Sequence, residues 1–390
     1  MATLQYKSTV NQSRLAVLGM FFINGALMAT WISRIPQIQD KLDLSEGQLG
    51  IVLLGLSAGV LTALSVAGGL VARYGSRRVT VTAAFVLALL LIWLPWMPNS
   101  VALWLNLFVF GMALSTMDVA MNAQAVEVEA RAERPLMTTF HASWSVGGFV
   151  SAAIGAAMAS MSVEPQPHFV FGAVLFGSLI FIFRRHLLFN VASEEADEQE
   201  QVFRLPPRIL WPLGIVAFAG AIGEGAIADW SGVYLSDVVQ TDDATAALGF
   251  TVFSIMMTMG RLFGDRLAAR FSPARLVQLG GLVATAGLLL AIFLPTPATT
   301  LLGFAAVGLG VSTVVPLAFS AAGRIPGISA SVGIASVATI GYAGFLAGPP
   351  VIGLIAEATS LQLALLVFVA TLTATLVITG RELDKSKSLH

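Results

Sequence analysis

The chain contains no cysteine, which excludes a disulfide framework, a thiolate metal site and thiol chemistry from its 390 residues. Charge is also scarce. Only 11% of residues are charged, where soluble domains carry about 25%. The net charge is −1. No basic stripe or aromatic RNA motif is present, so no nucleic-acid partner is expected. The histidines, His141, His168, His186 and His390, are too scattered for a zinc site. No Walker loop and no nucleophile–base constellation occurs, so neither a cofactor nor an enzymatic reaction is expected.

What the chain does have is apolar sequence, 56% of the total. Runs of membrane-spanning length, about 20 residues, fall at 14–34, 46–72, 79–97, 101–125, 137–161 and 167–186. Six more fall at 209–235, 246–270, 275–295, 298–323, 329–357 and 361–381. Asn99, Pro165 to Pro167 and Pro295 to Pro297 mark tight turns between runs. The first run is too long for the core of a signal peptide and reads as a retained helix. The expected fold is an all-α polytopic membrane protein whose partner is the lipid bilayer. It has an N-terminal half at 1–190, an acidic linker at 191–208 and a C-terminal half at 209–390.

The basic residues test this count. With an even number of spans both termini share one side. Nineteen of the 21 Lys and Arg then sort to that side, and only Arg34 and Lys41 fall opposite. By the positive-inside rule the termini are cytoplasmic, in a cell inner membrane. The linker, with Glu194, Glu195, Asp197, Glu198 and Glu200, reads as a solvated spacer.

The halves repeat each other at an offset of 197 to 199. Ala29-Thr30-Trp31 returns as Ala228-Asp229-Trp230, and Leu49-Gly50-Ile51 as Leu248-Gly249-Phe250. Ala72-Arg73-Tyr74 returns as Ala269-Arg270-Phe271. Gly111 to Thr116 returns as Gly308 to Thr313. Matches in one order at nearly one offset imply two pseudo-symmetric six-helix units, 12 transmembrane helices in all, related by an axis along the membrane normal.

With these features the chain resembles the major facilitator superfamily over essentially its whole length. The superfamily's basic loop after the second helix appears as Gly69-Leu70-Val71-Ala72-Arg73-Tyr74-Gly75-Ser76-Arg77-Arg78, with Ala72 at the usual acidic position. In the second half it appears as Gly260-Arg261-Leu262-Phe263-Gly264-Asp265-Arg266, with the acid kept. The resemblance implies a cytoplasmic gate at Arg73, Arg77, Gly264, Asp265 and Arg266. Within the superfamily, Asp118 and Asn122 resemble the acid-x-x-x-Asn of the fucose-permease-like branch, whose acid is implicated in proton coupling. That branch's acid in the first helix has no counterpart between Trp31 and Pro36.

Carboxylates at membrane depth are costly and mark function. Asp118 and Asn122, four apart, share a helix face with Ser115. They form either a buried interhelical contact or a protonatable site. In the seventh run, Glu224 and Asp229 lie near mid-membrane and in the outer part. Glu224 has no obvious helix-borne cation partner and is a proton-carrier candidate. Arg34 falls at the depth of Asp229. It either pairs with Asp229 at an outer gate or snorkels into the headgroups.

Asn24, His141 and Asn122 are further cavity candidates, with Trp31 and Trp230 as repeat-related aromatics. Trp144 and Tyr342 occupy near-equivalent places and either stack on a substrate or fill the core. Gly55-Leu56-Ser57-Ala58-Gly59 matches a hydrolase elbow but sits in an apolar helix, so it reads as a small-residue packing face. Gly147, Ser151, Gly155 and Ala159 form another. Gly344 to Pro350 is expected to kink the eleventh helix.

The reading is a monomeric secondary transporter for a small polar, sugar-like solute, driven by protons through alternating access. A drug or metabolite efflux pump is the alternative, and a non-transporting receptor or scaffold is a remote one.

Overall fold

The computed structural model describes residues 2–132, 136–189, 207–322, 324–325, 328 and 330–379. Every element among them is helical. The linker expected at 191–208 lies outside the described residues up to 206, and so do the side chains of Asp265 and Arg266.

Helix α1 (Ala2–Ile32) ends where proline dictates. Pro36 has no N–H to offer the Ile32 carbonyl and its ring crowds that position. The chain turns through Ser33 and Arg34 and resumes as α2 (Ile35–Leu42). Helix α3 (Glu46–Tyr74) opens on a reciprocal cap. The Gln48 amide donates to Ser45 Oγ at 3.3 Å, and the Ser45 amide donates to Gln48 Oε1 at 3.1 Å. Gly75, at φ +81°, separates α3 from α4 (Ser76–Trp93), a backbone state that glycine adopts without a Cβ penalty. Asn99 caps α5 (Ser100–Ala132) by accepting from the Ala102 amide at 2.9 Å. Glu129 accepts from the Leu136 and Met137 amides at the start of α6 (Met137–Ser160). Helix α7 (Pro165–Phe183) begins on proline, which lacks a donor where none is needed.

The second half repeats this logic. Helix α8 (Trp211–Val233) continues into a π turn at Tyr234–Val238. Asp242 caps α9 (Asp243–Arg270), and its bond from the Thr245 amide holds its carboxyl below the usual range. Ser272 caps α10 (Pro273–Phe293), and a Thr296–Thr299 capping box opens α11 (Pro297–Val311). The single tenth helix expected at 298–323 is in fact two, α11 and α12 (Val314–Ala322), because Pro316 cannot bond the Ser312 carbonyl. Helix α13 (Ala330–Ala358) instead stays one helix through Pro349 and Pro350, and α14 (Leu361–Thr379) closes the described chain. The third helix starts at Ser76 rather than at 79.

Eleven helices among the described residues have spanning length and composition. Helix α14 occupies the twelfth expected span. Large apolar side chains such as Val101, Val174, Leu302 and Leu354 point outward, as a lipid-facing surface requires.

The chain divides into two compact units, Met1–Leu42 with Gly55–Val202, and Asp43–Leu54 with Phe203–His390. In the first, α1 packs against α5, α6 and α7, and α4 against α5 and α7. In the second, α8 packs against α9, α12, α13 and α14, and α11 against α9 and α10. The repeat seen in sequence is also a repeat of contacts. A Cβ on Gly111 would collide with the Leu56 carbonyl, and one on Gly308, 197 residues later, with the Phe253 carbonyl. Gly147 abuts the Phe22 carbonyl as Gly344 abuts that of Phe218. Small residues let helix backbones touch in both units. The two packing faces read from sequence are real: Gly55 and Gly59 meet the Trp104 and Phe108 carbonyls, Gly147 meets the Phe22 carbonyl of α1, and Gly155 meets Ser33 in the turn that follows it.

Candidate functional site

In the first unit, three helices meet through one asparagine. Asn24 on α1 is 2% exposed. Its Nδ2 donates to the Leu114 carbonyl of α5 at 3.3 Å, and its Oδ1 accepts from the Trp144 indole of α6 at 2.8 Å. The indole plane is thereby fixed while the ring stays half-buried. About two turns beyond Leu114, Asn122 Nδ2 donates to the Asp118 carbonyl at 2.9 Å and to Asp118 Oδ1 at 3.2 Å. The i,i+4 pair expected from sequence is thus formed. His141, one turn before Trp144, is exposed and sets its ring edge-to-face with Phe21 at 5.2 Å. This part of the unit offers a fixed aromatic face, a carboxylate and a carboxamide, groups that suit a hydroxylated solute.

A second polar layer lies toward the α1–α2 turn. Thr30 gives its one hydroxyl proton to the Ala26 carbonyl at 2.8 Å, so in the 2.7 Å contact with Ser151 of α6 the serine is the donor. Arg34 is 1% exposed. It donates from Nε to His168 Nδ1 at 3.1 Å and from Nη2 to the Val163 carbonyl at 3.0 Å. It therefore does not snorkel. Lys41 donates to the Pro95 carbonyl. Trp31 is buried at 1% exposure and packs as core.

In the second unit, Glu224 of α8 meets Arg261 of α9, with Arg261 Nη2 3.2 Å from Oε2 and 3.5 Å from Oε1. This corrects the expectation that Glu224 lacks a cation partner. Arg261 had been assigned to the cytoplasmic end, but α9 carries it well above Arg270. Asp229 is half-buried and has no cation partner within its own unit among the described residues. Trp230 is 1% exposed, and its indole N–H has no partner among the described residues. Tyr342 is half-buried on α13.

The described chain resembles known proteins along nearly all of its length. Residues 16–344 match the Major Facilitator Superfamily. The chain belongs to the Major Facilitator Superfamily. It is 36% identical over 359 residues to membrane protein MosC of Rhizobium meliloti, covering 91% of this chain and 86% of that one. It is 37% identical over 359 residues to the uncharacterized transporter y4wD of Sinorhizobium fredii, covering 92% and 94%. Among solved structures, a mutant of nucleoside transporter NupG superposes with a TM-score of 0.78 at 14% identity, covering 95% of this chain and 99% of that one. A D-xylose-proton symporter superposes with a TM-score of 0.75 at 11% identity, covering 95% and 97%. At those identities the structures share the fold alone.

Membership in a superfamily of transporters makes this a multi-pass membrane protein and not an enzyme. Its basic loop can now be located. Arg77 donates from Nε to the Arg184 carbonyl at 3.0 Å, at the C-terminal end of α7. Its guanidinium lies 3.7 Å over the Phe189 ring. Arg73 lies over the neighbouring Tyr74 ring at 5.2 Å. Gly264 is buried against Thr313. Sequence reasoning missed Gln124, which is fully buried. It exchanges two hydrogen bonds with the Leu188 backbone, at 2.9 and 2.8 Å, and donates to Ser76 Oγ at 2.7 Å. A glutamine inside an apolar helix was its only signal.

Proposed function

We propose that this superfamily member is a secondary active transporter that moves a small polar, sugar-like solute across the inner membrane by alternating access, coupled to protons. The observation that carries the reading is the Asn24–Trp144 bond, tied to α5 at Leu114 one turn before the Asp118–Asn122 pair, all on membrane-spanning helices. A lipid-facing carboxylate would be heavily penalised, so Asp118 serves a wetted or ligand-filled space. The resemblance of Asp118 and Asn122 to the fucose-permease-like branch supports both the sugar-like solute and the proton.

Asp118 and Asp229 are the leading proton carriers, since neither has a cation partner within its own unit among the described residues. Asn24, Asn122, His141 and Trp144 are the leading substrate contacts of the first unit, and Trp230 and Tyr342 are the candidates of the second. Arg73, Arg77, Gly264, Asp265 and Arg266 are proposed to form the cytoplasmic gate, with both termini on that side and the chain working as a monomer.

Reconstituted proteoliposomes test the reading. Uptake of a radiolabelled sugar or sugar-like solute, driven by an imposed pH gradient and abolished by a protonophore, is the expected result. Absence of uptake for every solute offered, with no response to the gradient, rejects it.

A further inference from the structure

The Glu224–Arg261 pair has no counterpart in the first unit. The contact repeat relates Gly308 to Gly111 and Gly344 to Gly147 at an offset of 197. The same offset places Leu64 where Arg261 stands. Offsets of 196 to 199 place Gly25, Ala26, Leu27 and Met28 where Glu224 stands. The first unit therefore builds the equivalent part of its frame from apolar residues. An ion pair that replaces apolar packing contributes little net stability, because desolvation offsets the attraction. Fold maintenance does not account for it.

The geometry leaves the pair open on one side. Both contacts use Arg261 Nη2 alone. Nε and Nη1 have no hydrogen-bond partner among the described residues. The side chains are 30% and 21% exposed for Arg261 and Glu224. Glu224 lies about 20 Å along α8 from Trp211, and Arg261 about 13 Å along α9 from Arg270. At that depth the exposed part of a guanidinium faces water or a ligand, since hydrocarbon would not hold it. On the same α9 face, Thr251, Ser254 and Thr258 continue the polar stripe. A guanidinium edge offering two parallel N–H groups matches a carboxylate in bidentate fashion.

We infer that Arg261 and Glu224 anchor a solute bearing a carboxylate flanked by a hydrogen-bond donor. The carboxylate takes Nη1 or Nε together with the second Nη2 N–H of Arg261, the parallel N–H groups beside the one that Glu224 holds. The donor, a hydroxyl or an ammonium, reaches the Glu224 carboxylate, which keeps one Nη2 N–H. This assignment rests on the transport reading and narrows its small polar solute to a hydroxy- or amino-carboxylate.

Binding to the purified full-length protein in detergent tests it without requiring transport. The probes are gluconate for a hydroxyl donor, alanine for an ammonium donor, acetate for a carboxylate alone and glucose for a neutral polyol. Gluconate or alanine raises the melting temperature more than acetate or glucose does, and whichever acts names the donor. In Arg261→Gln the affinity falls about 10- to 100-fold, the scale of hydrogen bonds to a charged partner. In Glu224→Gln acetate binds about tenfold tighter, because the competing carboxylate is gone. The double variant E224Q/R261Q removes both charges, leaves no unpaired ion and serves as the folded control.

The inference is overturned if no carboxylate shifts the native protein, if acetate matches both larger probes, or if Arg261→Gln leaves the shift intact. Glucose uptake that is equal in native and Arg261→Gln proteoliposomes, with no carboxylate binding, removes this anchor and keeps the transport reading. Carboxylate binding with no uptake of any solute keeps the anchor and removes the transport reading.

Discussion

Arg34 donates its Nε–H to Nδ1 of His168, 134 residues away, at 3.1 Å. A ring nitrogen that accepts carries no proton, so His168 is the Nε2–H tautomer. Both side chains are 1% exposed, which makes the acceptor essential to a buried cation. Replacing His168 with leucine leaves the Nε–H unmatched and lowers stability by about 1–3 kcal/mol. His168→Gln, whose amide oxygen accepts, retains most of the melting temperature. Equal melting temperatures for the two variants would show that the bond carries no weight.

The Asn24–Trp144 bond predicts a coupling. Trp144→Phe keeps the ring and loses the indole donor, and Asn24→Ala loses the acceptor. Each single variant lowers stability, and the double variant loses less than their sum by about 0.5–1.5 kcal/mol. The same Trp144→Phe change weakens solute affinity, because the ring is no longer held in one plane. A double-mutant cycle on detergent melting, read beside uptake KM, checks both statements.

The helix contacts predict opposite effects for one substitution at two glycines. Gly147 abuts the Phe22 carbonyl, and a Cβ there forces α1 and α6 apart. Gly177 in α7 has nothing within 4 Å of a Cβ. Gly147→Ala therefore lowers the melting temperature and the membrane yield. Gly177→Ala leaves both unchanged or raises stability by up to about 1 kcal/mol, the helix preference of alanine over glycine. Fluorescence size-exclusion of solubilised membranes measures both effects.

How much of this was legible in the chain depends on sequence distance. The Asp118–Asn122 pair lies within one helical turn, so spacing alone placed it. The spans and their repeat were legible because hydrocarbon demands long apolar helices. The break between α11 and α12 was written in Pro316 but was hidden inside a continuous apolar run. Glu224–Arg261 spans 37 residues and Arg34–His168 spans 134. Each depends on which helix faces are neighbours, which hydropathy does not encode. Counting Arg261 as a topology residue hid it further, because a positive-inside tally treats every basic residue near a helix end alike.

Sequence depth alone makes Arg34 and Asp229 candidates for an outer-gate pair, and within its own unit Arg34 holds His168 and the Val163 carbonyl. If a transient Arg34–Asp229 pair closes that gate during the cycle, reversing either charge puts like charges together and blocks transport. Reversing both, Arg34→Asp with Asp229→Arg, restores the attraction and part of the rate. Restoration stays partial because the carboxylate introduced on the α1–α2 turn cannot donate to His168 as the guanidinium does. Counterflow in proteoliposomes is the measurement, since it reports the gate without a driving force. A double variant as inactive as either single one, yet equally folded by melting, removes Asp229 from the outer gate and leaves it as a proton carrier alone.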